Sequence, residues 1–219
     1  GTRAQYAAKR GWHGPPYACL RDYHENPNTK ETSFERGGGW FAGGLSVANI
    51  IWNVSKEFGI NPQVILVTLK KEQGSLFTDV WPLKSQYKHA MGFACPDSGP
   101  GNTANCSNEY AGMYNQLRMA ARQFRLYTNR PGEYRYKAGR SNYIQYSTNT
   151  ACGGSWVYIE NQATANLYNY TPYQPNQGAL DAYPGTAHCG AYGNRNFWRF
   201  FNEWFGSPLN SVRIESPLS

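Results

Sequence analysis

No run of the 219-residue chain approaches 18 consecutive apolar residues, so no segment reads as a membrane-spanning helix. Charged residues are scarce, at 16%, and the basic ones are scattered. Lys70-Lys71, Arg118, Arg122, Arg125, Arg135 and Arg140 form no run of five or more. Zinc-finger spacing and RNA-binding aromatic motifs are missing too, so nucleic acid is not expected as a partner. No CxxC pair occurs among the five cysteines, which argues against a structural zinc site. The four histidines, His13, His24, His89 and His188, have no metal-ligand spacing. No charged-then-apolar leader opens the chain, and a signal peptide, if one existed, is expected to have been removed.

What is present is aromatic and loop-rich. Aromatic residues make up 16% of the chain, with 17 Tyr and 7 Trp, beside 23 Gly and 13 Pro. Such a chain has enough apolar surface to fold, and its composition suits a secreted protein with aromatic-lined grooves of the kind that hold sugars. The formal charge is +7, from 21 Lys and Arg against 14 Asp and Glu. A basic surface gathers anionic partners, bacterial cell wall among them. Cys95 and Cys106 bracket the ten-residue loop PDSGPGNTAN, which a disulfide would staple. A second bridge is expected between Cys152 and Cys189, with Cys19 in neither. Both fit an oxidising compartment.

Residues 1–45 read as irregular. Ser46 is placed to cap a helix whose apolar face is Val47, Ile50, Ile51, Val54 and Phe58, with Gly59 ending it. Asn61-Pro62 restarts the chain as a helix, a capping residue followed by proline at the first helical position. Val64 to Leu69 are apolar all round, the mark of a helix buried on all sides, and this helix runs to about Gln73. A long amphipathic helix is expected over 109–126. Short strands or loops are expected over 128–158, and helices over 160–170 and 195–206. The fold class is mainly α, a helical domain around one buried central helix with a loop-rich or short-stranded insertion. It is taken as one domain over 1–206, with 1–45 packed on it as an irregular segment and 207–219 as a tail or linker.

Glu72 stands at the exit of the central helix. An isolated Glu on a last helical turn is ordinarily a solvated residue. Here it would be part-desolvated and at the negative end of the helix dipole, and both effects penalise the ionised form, as a general acid requires. Lys70 and Lys71 oppose this if they fold back towards it. An acid carboxyl beside a Tyr- and Trp-rich groove is the equipment of glycosidic bond cleavage.

NPQVILVTLKKEQG followed by AMGFACPD resembles the lysozyme superfamily, with a layout closest to goose-type lysozymes and lytic transglycosylases. In that family the catalytic Glu ends a buried helix in a Glu-Ser-like turn, and a Gly-rich segment lines the cleft next. Glu72-Gln73-Gly74 and Ala90-Met91-Gly92-Phe93 stand for these motifs here. Gln73 replaces the usual Ser, and Ala94-Cys95 the usual Met-Gln. YACLRDY, INPQVILVTLKKEQG, GFACPD, NQATANLYNYTPYQPN and CGAYGNRNFWRFFNEWFG are similar to a domain of secreted actinobacterial wall-associated proteins, some labelled haemagglutinin-related. Secreted fungal muramidases are similar as well.

These resemblances imply a secreted muramidase that cleaves the β-1,4 bond between N-acetylmuramic acid and N-acetylglucosamine, with Glu72 as general acid. They imply no cofactor or metal, a peptidoglycan partner, no membrane insertion and a monomer. Asp97 falls where goose-type enzymes carry an Asp and would be the base or water-orienting group, giving inversion. A turn-capping role in Pro-Asp-Ser-Gly is the plainer alternative for it. Asp79 is the alternate second carboxylate. Tyr146, Asn161, Gln162, Trp81 and Met91 are the expected substrate contacts, and Trp40 and Trp156 are further candidates for the floor of the groove. Two other readings remain open. One is a non-catalytic glycan-binding module, and the other is a lytic transglycosylase on the same fold.

Overall fold

Capping chemistry fixes the first two long helices. Ser46 Oγ accepts from Asn49 N at 3.2 Å and opens α2 (Val47–Phe58), which buries Val47, Ile50, Ile51 and Val54. Gly59 closes it in the left-handed conformation. The freed carbonyls of Phe58 and Gly59 accept from the Arg125 guanidinium at 2.5 and 2.7 Å. This satisfies groups that a helix end otherwise leaves without partners. Asn61 Oδ1 accepts from Gln63 N at 2.8 Å and opens α3 (Pro62–Glu72), with the proline at its start.

These helices belong to a computed structural model that describes residues 3–12, 14, 18–78, 82–96 and 98–208. The chain divides into two compact units, Gly1–Glu133 and Tyr134–Ser219. In the first unit, α1 (Arg3–Lys9) precedes a two-residue antiparallel pairing of β1 (His24–Glu25) with β2 (Leu45–Ser46). Among its described residues, the segment expected to be irregular therefore holds α1, a 3-10 turn at Leu20–Asp22 and β1, with β2 at its edge. After α3 come α4 (Ser75–Thr78) and α5 (Lys84–Lys88), and then α6 (Met113–Asn129).

Two expectations need correction in this unit. α3 buries only Ile65, Val67, Thr68 and Leu69, with Val64 and Leu66 half-buried. α6 is buried to a similar degree, through Met113, Gln116, Leu117, Ala120, Ala121, Phe124 and Tyr127, and packs on α2, α3 and α5. α6 also begins at Met113 rather than Glu109. Asn108–Tyr110 is a separate 3-10 turn, and Gly112 breaks the chain with φ at +106°.

The start of α6 is set from a distance. Glu25 is 1% exposed, and its carboxylate accepts from Met113 N at 2.7 Å and Tyr114 N at 3.2 Å. It accepts also from Tyr23 Oη at 2.7 Å. A carboxylate at a helix N-terminus satisfies orphan amides and suits the positive end of the dipole. A Cβ on Gly112 would lie 2.8 Å from Glu25 Oε1, so both φ and space require glycine there.

In the second unit, β3 (Arg140–Gln145) and β4 (Gly154–Ile159) pair antiparallel, Arg140 opposite Ile159 and Gln145 opposite Gly154. One face packs Ile144 and Ile159 with Tyr136 and Ala165. Gln174 Nε2 donates to Ile144 O at 2.8 Å and Ser155 Oγ at 2.9 Å, and Asn142 Nδ2 donates to Lys137 O at 2.9 Å. Three helices follow: α7 (Gln162–Tyr170), α8 (Gln177–Asp181) and α9 (Gly193–Phe205). Among the described residues the whole is mainly helical with two small antiparallel sheets, and no helix is long and apolar enough to cross a membrane.

Both expected disulfides are present, Cys95–Cys106 and Cys152–Cys189. The second joins the end of the β3–β4 connection to the segment before α9 across a sequence separation of 37. Replacing both its cysteines by alanine is expected to destabilise the second unit by about 2–4 kcal/mol. Urea titration followed by far-UV circular dichroism measures this, and an unchanged midpoint would contradict it.

Candidate functional site

Glu72 is the last residue of α3. Gln73 leaves helical geometry at φ −129° and ψ 62°, while its N–H still reaches Leu69 O at 2.8 Å, so the exit turn is closed. Gln73 O and Gly74 O accept from Leu76 N and Phe77 N at 3.1 Å each, which starts α4 immediately. The Glu72 side chain is 30% exposed, and its Oε1 lies 2.6 Å from Lys71 Nζ. The Lys71 side chain is only 8% exposed. The sequence led us to expect a carboxyl withdrawn from water. Instead about a third of the side chain faces solvent, and its neighbour has folded back to pair with it. Lys70 takes a different route, with Nζ 3.4 Å from Gly74 O and 5.3 Å from the Phe77 ring centroid.

The Ala90–Phe93 segment is held from behind by one side chain. Gln116 of α6 is fully buried, and its Oε1 accepts from Met91 N at 3.2 Å and Phe93 N at 3.0 Å. Its Nε2 donates to Phe93 O at 3.1 Å and Tyr110 O at 2.8 Å. A buried amide with every group satisfied fixes a backbone path more firmly than apolar packing does. Met91 itself is buried at 3% exposure, so the thioether expected to touch substrate belongs to the core. The open position of the turn is Gly92, where φ is +64° and nothing lies within 4 Å of an added Cβ. Beyond the turn, Cys95–Cys106 and the bonds from Ser107 N to Ala94 O and from Asn105 N to Pro96 O close the loop.

Comparison with protein families, with curated proteins and with solved structures finds no match for the chain.

Asp97, Asp79 and Trp81 lie outside the described residues. Asn161, Gln162, Tyr146 and Trp156 belong to the second unit, and Trp40 to the first. Asn161 caps α7 by accepting from Thr164 N at 2.9 Å, and Gln162 donates to Asn166 Oδ1 at 2.8 Å one turn along. Tyr146 is half-buried, with its N–H on Gly153 O at 3.0 Å. Trp40 and Trp156 are 73% and 72% exposed.

One group of metal-ligand atom types occurs among the described residues: His89, Cys95 and Cys106, within 4.8 Å of one another. Both sulfurs are spent in the disulfide. His89 Nδ1 is buried without a hydrogen-bond partner, and burial, aided by the Lys88 charge, holds the imidazole below its ordinary value.

Sequence reading missed Gln116 and Glu25. Gln116 carried a usable signal, because it is an amide on the apolar side of α6 between Met113 and Leu117. Glu25 carried none, since the two amides it meets at the start of α6 are 88 and 89 residues away.

Proposed function

We propose that the chain is a muramidase acting on bacterial peptidoglycan, with Glu72 donating the proton to the leaving glycosidic oxygen. The observation that carries this reading is the placement of Glu72. It is the terminal residue of a helix fixed at both ends, and its carboxyl is open in part to water. Substrate entering at that carboxyl would take the place of the water that reaches it and bring the bond to be cleaved beside it. Asp97, with Asp79 as alternate, is proposed to orient the attacking water, which gives hydrolysis with inversion. The two disulfides suit secretion, and the net charge of +7 suits an anionic wall.

The Lys71–Glu72 ion pair favours a second reading, a wall-binding module without catalysis in which the pair only closes the helix exit. Release of new reducing ends from purified walls separates the two, because a binding module releases none. A lytic transglycosylase would release 1,6-anhydro ends in their place.

Lysis is expected to fall as salt rises. A positively charged protein is drawn to an anionic polymer, and screening shortens that attraction to about 10 Å at 0.1 M. Initial clearing rates between low salt and several hundred millimolar test this. A rate insensitive to salt would mean that charge plays no part in wall capture.

A further inference from the structure

The β3–β4 hairpin keeps three large rings in water on a single face. Residues directly opposite in the register share a face, so Ser141 with Tyr158, Tyr143 with Trp156, and Gln145 with Gly154 stand together. The opposite face is the one packed on Tyr136 and Ala165. On the outer face Tyr143 is 41% exposed, Trp156 72% and Tyr158 59%. Tyr143 and Trp156 meet edge to face, with ring centroids 5.7 Å apart. Side chains of this size are ordinarily withdrawn from water, and a contiguous exposed group of them marks a binding surface.

The platform is rigid. Asn142 and Gln174 pin the strands from behind, and the Cys152–Cys189 bridge anchors the end of the connecting loop. The backbone that carries the rings is therefore tied down before any ligand arrives, which lowers the ordering cost of binding.

Charge selects the occupant. None of the six strand residues on that face is Lys, Arg, Asp or Glu, in a chain that carries 21 basic and 14 acidic residues. Nucleic acid or an anionic lipid surface would call for cations interleaved with the rings. No Leu, Ile, Val or Met stands among the rings to make the aliphatic core of a protein interface. The rings are flanked instead by the Ser141 hydroxyl, the Gln145 amide and the two tyrosine hydroxyls. That combination complements an uncharged backbone in which C–H faces alternate with hydroxyl and acetamido groups. We propose that this face of the second unit binds the N-acetylhexosamine glycan strand of peptidoglycan, as a holding site. The choice of wall glycan rests on the function proposed above, whereas the ring face does not.

The test is sedimentation with purified insoluble peptidoglycan, run in the Glu72→Gln background so that lysis cannot alter the binding. Trp156→Ala and Tyr158→Ala should each weaken retention by about tenfold, and Trp156→Tyr should restore most of it. Loss of a cross-strand ring could loosen the hairpin, so a second measurement uses the intact surface. Amide shifts on adding soluble glycan strands should concentrate at residues 141–145 and 154–158. Undiminished retention by the alanine variants, shifts elsewhere, or capture of chitin, anionic vesicles or nucleic acid in preference to peptidoglycan would each overturn the proposal. The outcome is independent of whether the wild type cleaves the wall.

Discussion

Glu72→Gln is expected to abolish wall lysis while leaving the chain folded. Glutamine keeps the shape and the hydrogen-bonding reach of the side chain but has no proton to give to the leaving oxygen. General acid catalysis contributes about 10²–10⁴-fold, so the loss is far larger than any assay scatter. The substitution also removes the carboxylate 2.6 Å from Lys71 Nζ, on a side chain that is 8% exposed. Weakening the pairing of a nearly buried charge costs stability. Activity must therefore be read on protein whose circular dichroism and melting show it to be folded. Near-wild-type clearing by that protein would remove Glu72 from the mechanism and leave the non-catalytic reading in its place.

Glu25→Ala is expected to be among the most destabilising single changes in the first unit. It withdraws one acceptor from three donors: Tyr23 Oη, Met113 N and Tyr114 N. Each buried donor left unmet costs about 1–3 kcal/mol, and a total of about 3–5 kcal/mol is expected. Equilibrium unfolding in urea measures it, and a loss below about 1 kcal/mol would show that water takes over the carboxylate's role.

The same residue gives a pH dependence of fixed sign. Burial holds the Glu25 carboxyl above its ordinary value, against the bonds from Tyr23, Met113 and Tyr114. A raised folded value means that the native state holds its proton more tightly than the unfolded chain does. The resulting stability is present below the unfolded value of about 4.3 and is lost as pH rises through the folded one. The stability of the wild type relative to Glu25→Gln should therefore fall as pH is raised from about 4 upwards. A difference that stays constant, or grows with pH, would contradict it.

Features decided by local chemistry were legible in the sequence. Ser46, Asn61-Pro62 and Gly59 act through their own side chains and backbone, and each bounds the helix it was expected to bound. The disulfides were legible in the same way, one as a staple across a Pro/Gly/Asn loop. The start of α6 was not. Tyr110 continues its apolar pattern backwards, but the helix begins where the Glu25 carboxylate meets Met113 and Tyr114. Two-residue strands such as β1 and β2 are too short to show alternation. β3 hides its own, because the polar Asn142 occupies an inward position on backbone hydrogen bonds to Lys137 and Arg140.

At the candidate site the position of Glu72 was legible and its surroundings were not. Composition places an acid at the end of an apolar helix. Whether the adjacent Lys71 turns towards it depends on packing around a side chain that is nearly buried. The Ala90–Phe93 segment was legible only through its resemblance to the Gly-rich segment of the lysozyme superfamily. Its burial of Met91 follows from Gln116, which draws the backbone on both sides of Gly92 onto α6. The roles of Asn161 and Gln162 inside α7 follow from ordinary capping and i,i+4 pairing, chemistry that sugar-binding composition does not distinguish.

The most direct measurement is mass spectrometry of purified peptidoglycan digested by the wild type and by Glu72→Gln in parallel. Muramidase action predicts soluble fragments ending in N-acetylmuramic acid with a free reducing end from the wild type, and none from the variant. Fragments with 1,6-anhydro ends, equal yields from both proteins, or no fragments from either would contradict the account.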